Sequence, residues 1–145
     1  MIIKMKKNEI EKILKTCMEK EEIAYAIPTP KDWDKLEKQI KFVFPETFKA
    51  FIELMSEYSF PGDIYNVLED NNNGNDTILD IYKYESEYSE WDKNMIPFYG
   101  IGNGDYFCIC KTDCKIYYFY HDKLMFENYL ENMEKWIAEL PDFLE

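Results

Sequence analysis

Residues 95–120 read MIPFYGIGNGDYFCICKTDCKIYYFY, and this stretch decides the fold. It contains three short apolar runs, at residues 96–99, 106–110 and 116–120. Glycine and asparagine separate the first two runs, and Thr112 and Asp113 separate the last two. These residue types tolerate the positive φ angles and local hydrogen bonds of tight hairpin turns. The stretch therefore predicts an antiparallel β-meander of three strands.

Helices are expected before the meander. An amphipathic stripe predicts a first helix over residues 8–22. Thr29 followed by a proline is typical of a helix N-cap and starts the second helix. The third helix is predicted to begin near Pro45, to direct Phe48 and Phe51 into the core, and to stop at the Pro-Gly pair of residues 61–62.

The segments before and after the meander have mixed secondary-structure patterns. Residues 64–68 are compatible with a strand, while residues 77–91 fit either a strand or a helix capped by Asp76, and we favour the helix. Residues 124–140 carry a continuous apolar stripe at helical spacing, which predicts a closing helix ended by Pro141.

Length and composition indicate one folded domain. The chain has 145 residues, of which 46% are hydrophobic and 17% aromatic, enough to bury a core without disulfides or metal. The fold class is predicted to be α+β. N-terminal helices would pack on a central antiparallel sheet, and an amphipathic helix would close the C-terminal side.

The charge balance restricts the class of partner. With 29 acidic against 17 basic side chains, the formal net charge is -12. This charge opposes binding to nucleic acid and to anionic membranes. Two readings of it remain open: it favours a partner protein with a basic surface, or it serves only to keep the protein soluble. No apolar run reaches the length of a membrane span and no secretory signal is evident, so we expect a cytoplasmic protein.

Four stretches together resemble the SUKH superfamily, the Smi/Knr-type domain of many bacterial immunity proteins and some fungal regulators. Residues 33–40 resemble its I-x-x-L-E helix, and residues 44–52 resemble its L-P-x-x-[YF]-K-x-F-L segment. Residues 96–109 resemble its I-P-F…G-x-G-D core, and residues 116–122 resemble its V-Y-[YF]-[YW]-x-H-[DE] strand.

The resemblance implies a single SUKH-like domain over residues 1–145, with residues 1–28 as an N-terminal helical extension. It also implies a non-enzymatic immunity protein that binds and neutralises a cognate bacterial toxin, such as a nuclease with a basic cleft. The alternative that it leaves open is a regulatory scaffold module that binds endogenous proteins. We expect no cofactor and a monomer or weak homo-oligomer.

Acidic side chains interleaved with aromatic ones provide the candidate contact surface, because rigid aromatic anchors with a complementary charge are typical of protein interfaces. The predicted partner-binding residues are Asp63, Tyr65, Glu69, Asp70, Asp76, Asp80, Tyr84, Glu85, Glu87 and Trp91. Gly102, Gly104 and Asp105 are predicted to be structural turn residues, with the Asp105 carboxylate accepting N–H bonds of its own turn.

The remaining candidates for chemistry are the single histidine and three of the four cysteines. Cys108, Cys110, Cys114 and His121 could form a zinc site or a Cys–His nucleophile pair. Their spacing lacks a C-x-x-C knuckle, and His121 is the only histidine in the chain. We therefore predict that Cys108 and Cys110 are small apolar residues on one face of a strand and that the protein is not an enzyme.

Overall fold

The computed structural model describes residues 5–21, 26–69 and 77–144. Its elements confirm the α+β fold class, with helices on a five-stranded antiparallel sheet of order β1-β2-β3-β4-β5. In chain order they are α1 (Lys7–Leu14), α2 (Pro30–Ile40), α3 (Glu46–Leu54), β1 (Asp63–Ile64), α4 (Ile78–Ser86), β2 (Met95–Gly100), β3 (Tyr106–Cys110), β4 (Ile116–Tyr120), β5 (Met125–Leu130), α5 (Met133–Ala138) and α6 (Leu140–Phe143).

The predicted meander is confirmed as strands β2, β3 and β4. Pro97 pairs with Cys108, and Cys108 pairs with Tyr117, so the three strands lie side by side. All residues of β2 and β3 are buried, because helices or loop side chains cover both faces of the sheet. A fully buried strand reads as a continuous apolar run rather than as an alternating one.

One face of the sheet packs on the C-terminal helices through Trp136 of α5. Its ring centroid lies 5.0 Å from that of Phe98 and 5.6 Å from that of Phe107. The other face carries Tyr106 and Phe119, which are register partners, and it is covered by Trp91 from the segment after α4. Both tryptophans meet these rings edge-on, an arrangement that aromatic pairs favour over a perfect face-to-face sandwich.

The helix starts before the meander agree with the sequence. Thr29 caps α2 and forms a reciprocal capping box with Asp32, and Pro45 is the N-cap of α3. The first and third helices are shorter than predicted. Helix α1 ends at Leu14, and residue 22 lies outside the described residues. Helix α3 ends at Leu54, well before the predicted Pro-Gly stop.

Helix α1 belongs to the same core as the rest of the fold. Ile10 and Leu14 have no exposed surface. The segment that follows α1 pairs with the segment that follows α3 through an antiparallel bridge between Lys20 and Tyr58. The Tyr58 hydroxyl also donates to Glu11 at 2.6 Å.

The two segments before the meander, residues 64–68 and 77–91, differ in how much of the predicted structure they form. Residues 78–86 form a helix, but its cap is Thr77, whose hydroxyl accepts from the backbone N–H of Asp80 at 3.1 Å. The predicted cap, Asp76, lies outside the described residues. Of the possible strand at residues 64–68, only Ile64 belongs to β1, and the backbone N–H of Tyr65 also donates to the carbonyl of Phe98 in β2 at 2.9 Å.

The predicted closing helix over residues 124–140 is wrong in its first half. Residues 125–130 form β5, which pairs antiparallel with β4, and the helical part is confined to α5 and α6. Pro141 lies at the start of α6 and does not end a helix. No helix in the described parts of the chain is both long and apolar enough to cross a bilayer.

Candidate functional site

A concave pocket of about 440 Å³ lies on the sheet face that Trp91 covers. It is formed where the C-terminal end of α4, the loop after α4, the β2–β3 turn and the β4–β5 turn meet. Its lining is aromatic, apolar and acidic, and consists of Tyr84, Glu85, Tyr88, Glu90, Trp91, Gly104, Tyr106, Phe119, His121 and Leu124. We call this concavity the aromatic–acidic pocket.

The floor of the pocket is a cluster of buried rings. Trp91 is 6% exposed, and its ring lies 4.9 Å from Phe119 and 6.0 Å from Tyr106 between centroids. The Trp91 indole N–H donates to the carbonyl of Met95 at 3.2 Å. Packing and this hydrogen bond hold the indole rigidly, so the floor is preformed.

The side of the pocket formed by the end of α4 and the segment after it is exposed. Tyr84 lies on α4 and Tyr88 lies just after its C-cap, and the two are 53% and 50% exposed and meet at 5.7 Å between ring centroids. The Tyr88 hydroxyl donates to the Tyr84 hydroxyl at 3.2 Å. Two rigid amphipathic rings standing in solvent are typical of the anchor residues of protein interfaces.

Glu85 supplies an ordered negative charge between floor and wall. The Tyr106 hydroxyl donates to Glu85 Oε2 at 2.6 Å. Burial and this hydrogen bond to a carboxylate both raise the pKa of Tyr106, so the phenol stays protonated and continues to orient Glu85. A carboxylate has several lone-pair sites, and one phenol leaves acceptor capacity on Glu85 for a cation.

Asp105 fixes the rim on the side of the sheet. Its Oδ1 accepts from the backbone N–H of His121 at 2.9 Å and lies 2.6 Å from His121 Nδ1, while its Oδ2 accepts from the Tyr118 hydroxyl at 2.8 Å. Burial alone would raise the pKa of Asp105, but these hydrogen bonds outweigh it and hold the pKa below the ordinary value of 3.8. Because Asp105 is ionised and can only accept, the Nδ1–H of His121 is the donor.

The hydrogen-bond partners of Asp105 differ from those predicted. Its carboxylate accepts from His121 and Tyr118 and not from its own turn. Within that turn it is Asn103 Oδ1 that accepts from the backbone N–H of Asp105, at 2.9 Å. Gly102 and Gly104 have φ angles of 99° and 97°, which agrees with their prediction as turn residues.

Leu124 closes the pocket from the β4–β5 turn in an unusual backbone conformation. Its φ angle is 52°, in the left-handed region, and its side chain is 55% exposed. Non-glycine residues in this region are uncommon and cost about 1–2 kcal/mol. A strained, exposed leucine at the mouth of a preformed pocket is the kind of feature that accompanies binding sites.

A comparison with protein families gives one match. The SUKH family model described as SMI1-KNR4 cell-wall matches residues 6–142. The chain belongs to the SUKH family. This result confirms the resemblance proposed from the four sequence stretches. No curated protein and no solved structure matches the chain significantly.

Three of the predicted partner-binding residues line the aromatic–acidic pocket of this SUKH domain, namely Tyr84, Glu85 and Trp91. Glu87 is the exposed C-cap of α4, one position before Tyr88. Trp91 lies at the floor rather than on the rim, so it supports the surface and offers little area to a partner.

The other predicted residues lie elsewhere. Glu69 and Asp80 line a separate, smaller groove of about 240 Å³ between α2 and α4. Asp63 lies on β1, and Tyr65 is 6% exposed and packs beneath Tyr106 at 6.3 Å between ring centroids. Asp70 and Asp76 lie outside the described residues.

Sequence reasoning did not assign Tyr106, Phe119, His121 and Leu124 to a binding surface. They come from β3, β4 and the β4–β5 turn, and they reach the pocket only because the strands pair. Tyr88 and Glu90 were recognisable, since they continue the acidic and aromatic pattern of residues 84–91.

The cysteines and His121 do not form one site. His121 lies at the Asp105 end of the β3–β4 hairpin, whereas Cys110 and Cys114 lie at the other end. At about 3.3 Å per residue along a strand, some 15 Å separates the two ends. Burial raises the pKa of both Cys108 and Cys114, which opposes thiolate formation. Among the described residues, no group of histidine, cysteine and acidic side chains is arranged to hold a metal ion.

Proposed function

We propose that this SUKH protein is a non-enzymatic immunity protein that binds a cognate bacterial toxin in the cytoplasm and neutralises it. The toxin would be a protein with a basic active cleft, such as a nuclease. Neutralisation would be steric and electrostatic, because the bound protein covers the cleft and excludes its substrate.

The aromatic–acidic pocket is the observation that carries this proposal. It combines exposed tyrosines with the carboxylates of Glu85 and Glu90, and no lysine is found in its lining among the described residues. The net charge of the whole chain, -12, has the same sign. Complementary charge accelerates encounter and buried aromatic contacts lengthen the lifetime of a complex.

Family membership and the position of the thiols support the same proposal. Immunity proteins are the class that the SUKH resemblance implies. The only histidine is hydrogen bonded to Asp105, and it is separated from Cys110 and Cys114 by the length of the hairpin. The reacting pair that a cysteine enzyme needs is not assembled in the described residues.

The test is to express this protein together with the product of the adjacent gene, and to measure growth rescue and complex formation. We expect rescue, a stable complex and loss of both with a Tyr84→Ala, Tyr88→Ala double variant. Tyr129→Ala is the matched control, because Tyr129 is also exposed, at 43%, but its ring packs on Phe107 and lies away from the pocket.

Two outcomes would contradict the proposal. One is an adjacent gene product that is not toxic, together with no rescue from any co-expressed candidate toxin. The other is specific, salt-insensitive capture of housekeeping proteins, which would favour the regulatory scaffold module instead.

A further inference from the structure

The aromatic–acidic pocket has the shape of a socket for one side chain. Its volume of about 440 Å³ falls in the range of roughly 300–1,000 Å³ that is typical of ligand pockets. Trp91 forms a rigid floor, and Tyr84, Tyr88 and Leu124 form the exposed walls. A flat interface patch would require none of this depth.

The charges that line the aromatic–acidic pocket favour a cation as its ligand. Glu85 is fixed beside the floor by the Tyr106 hydroxyl at 2.6 Å, and Glu90 also lines the pocket. The nearest lysine in sequence to the β4–β5 wall, Lys123, has its ammonium 5.2 Å from the ring of Tyr120 and does not line the pocket. Aromatic faces add to the attraction, because their quadrupoles favour a positive charge above the ring.

The geometry favours arginine over lysine. A guanidinium group is planar, stacks on aromatic rings and is more weakly hydrated than an ammonium group, and its fork of donors matches a carboxylate. The socket offers rings as walls and a carboxylate with spare acceptor capacity at its side. A lysine ammonium group is compact and strongly hydrated, so it would neither stack on the ring faces nor form a two-donor contact with the carboxylate.

We propose that the aromatic–acidic pocket binds one arginine side chain of the partner protein, stacked on a tyrosine ring that lines the pocket and paired with Glu85. The inference deepens the proposed function and rests on it for the identity of the partner. It predicts that the toxin presents an arginine at the centre of its interface, where hot-spot residues concentrate.

The site can be tested on the isolated protein with small probes. N-acetyl-arginine amide is titrated while the resonances of the Leu124 methyls and of the Tyr84 and Tyr88 rings are followed by NMR. We expect saturable shifts with a Kd on the order of 10 mM, because one stacked cation and one ion pair supply only a few kcal/mol. The citrulline analogue, which is nearly isosteric but neutral, should give no saturable shift.

Variants distinguish binding of arginine in the pocket from nonspecific attraction to an acidic protein. Glu85→Gln keeps an acceptor for Tyr106 and should weaken the arginine probe about fivefold, the upper end for a partly exposed ion pair. Tyr88→Ala should weaken it about threefold through the lost cation–π contact. Glu9→Gln on α1, which removes the same charge away from the pocket, should leave the Kd unchanged.

The inference is overturned if citrulline or N-acetyl-lysine amide binds as well as the arginine probe, or if the shifts map outside the pocket. An unchanged Kd in Glu85→Gln overturns it as well. Because the titration contains no toxin, its failure leaves the immunity function standing with another contact surface. Conversely, failure of growth rescue with a working arginine site would remove the function and keep the site.

Discussion

At the scale of single residues, Gly104 connects the β2–β3 turn to the Asp105–His121 contact. A Cβ atom at Gly104 would lie 3.0 Å from Cγ of His121, whereas one at Gly102 would meet no atom within 4 Å. Both glycines have positive φ angles near 100°. Alanine variants at the two positions therefore separate the loss of stability caused by backbone strain from the loss caused by displacing His121.

We expect Gly102→Ala to lower the free energy of unfolding by about 1–3 kcal/mol through strain alone. Gly104→Ala should cost a further 1–3 kcal/mol or so, because the imidazole must move from Asp105. Urea denaturation measures both, and NMR of the His121 ring reports the displacement. Equal losses in the two variants would contradict this role for Gly104.

Leu124 offers a second comparison at this scale, between stability and binding. Leu124 and Lys41 both adopt left-handed backbone, with φ angles of 52° and 64°. Leu124→Gly and Lys41→Gly should each raise the free energy of unfolding by up to about 1 kcal/mol, since glycine removes the strain. Only Leu124→Gly should weaken binding of the toxin and of the arginine probe. Equal binding by the two variants would show that the strained leucine is not part of the contact surface.

At the scale of elements, the sequence predicted those parts of the fold that local chemistry determines. Turn residues and apolar runs identify β2, β3 and β4, and the Thr-Pro pair identifies the start of α2. Strand β5 was mistaken for a helix because its apolar residues also fit helical spacing. In the strand Phe126 packs on Phe119 and Tyr129 packs on Phe107, on opposite faces of the sheet, because residues an odd number of positions apart alternate sides.

The aromatic–acidic pocket also has one part that local sequence determines and one part that depends on strand pairing. Residues 84–91 have a local pattern of tyrosines and glutamates, and part of this side of the pocket was predicted. The opposite wall depends on which strands pair, and a single sequence does not give the pairing of a strand whose spacing also fits a helix. Pairing and the helix cap at Asn132 together decide where the strand ends and the helix begins.

Asn132 gives the test of this element boundary. Its side chain accepts from the backbone N–H of Lys135 at 2.9 Å and starts α5. Asn132→Ala should cost about 1 kcal/mol of unfolding free energy, whereas Asn132→Asp keeps the acceptor and should cost little. Thermal or urea unfolding measures both. If residues 124–140 formed one helix, alanine would instead be neutral or stabilising at this position.

At the scale of the whole molecule, ionised carboxylates with partners make stability depend on pH. The folded pKa of Asp105 lies below 3.8, so its contribution is complete above 3.8 and is lost as the pH falls through the folded value. The pKa of Glu11 is likewise lowered, chiefly by the hydrogen bond from Tyr58. We expect the free energy of unfolding to fall on acidification below about pH 4.

Asp105→Asn isolates the contribution of one carboxylate. It should be less stable than the parent at neutral pH and should lose less stability between neutral pH and pH 3. Asp34→Asn, at an exposed position on α2, changes the net charge equally and should retain the acid sensitivity of the parent. Parallel pH profiles for Asp105→Asn and the parent would contradict the assignment.

The net charge and the pocket should act on different steps of partner binding. A charge of -12 raises the rate of encounter with a basic protein, and salt screens it as the Debye length falls from about 30 Å at 0.01 M to about 10 Å at 0.1 M. Added salt should therefore lower the association rate constant about tenfold and change the dissociation rate constant little. Tyr88→Ala should instead raise the dissociation rate constant and change the association rate constant little, because the Tyr88 ring makes its contacts with the partner after encounter. Surface plasmon resonance at two salt concentrations separates the two effects. A variant Tyr88→Ala that slows only association would show that the pocket steers the partner and does not hold it.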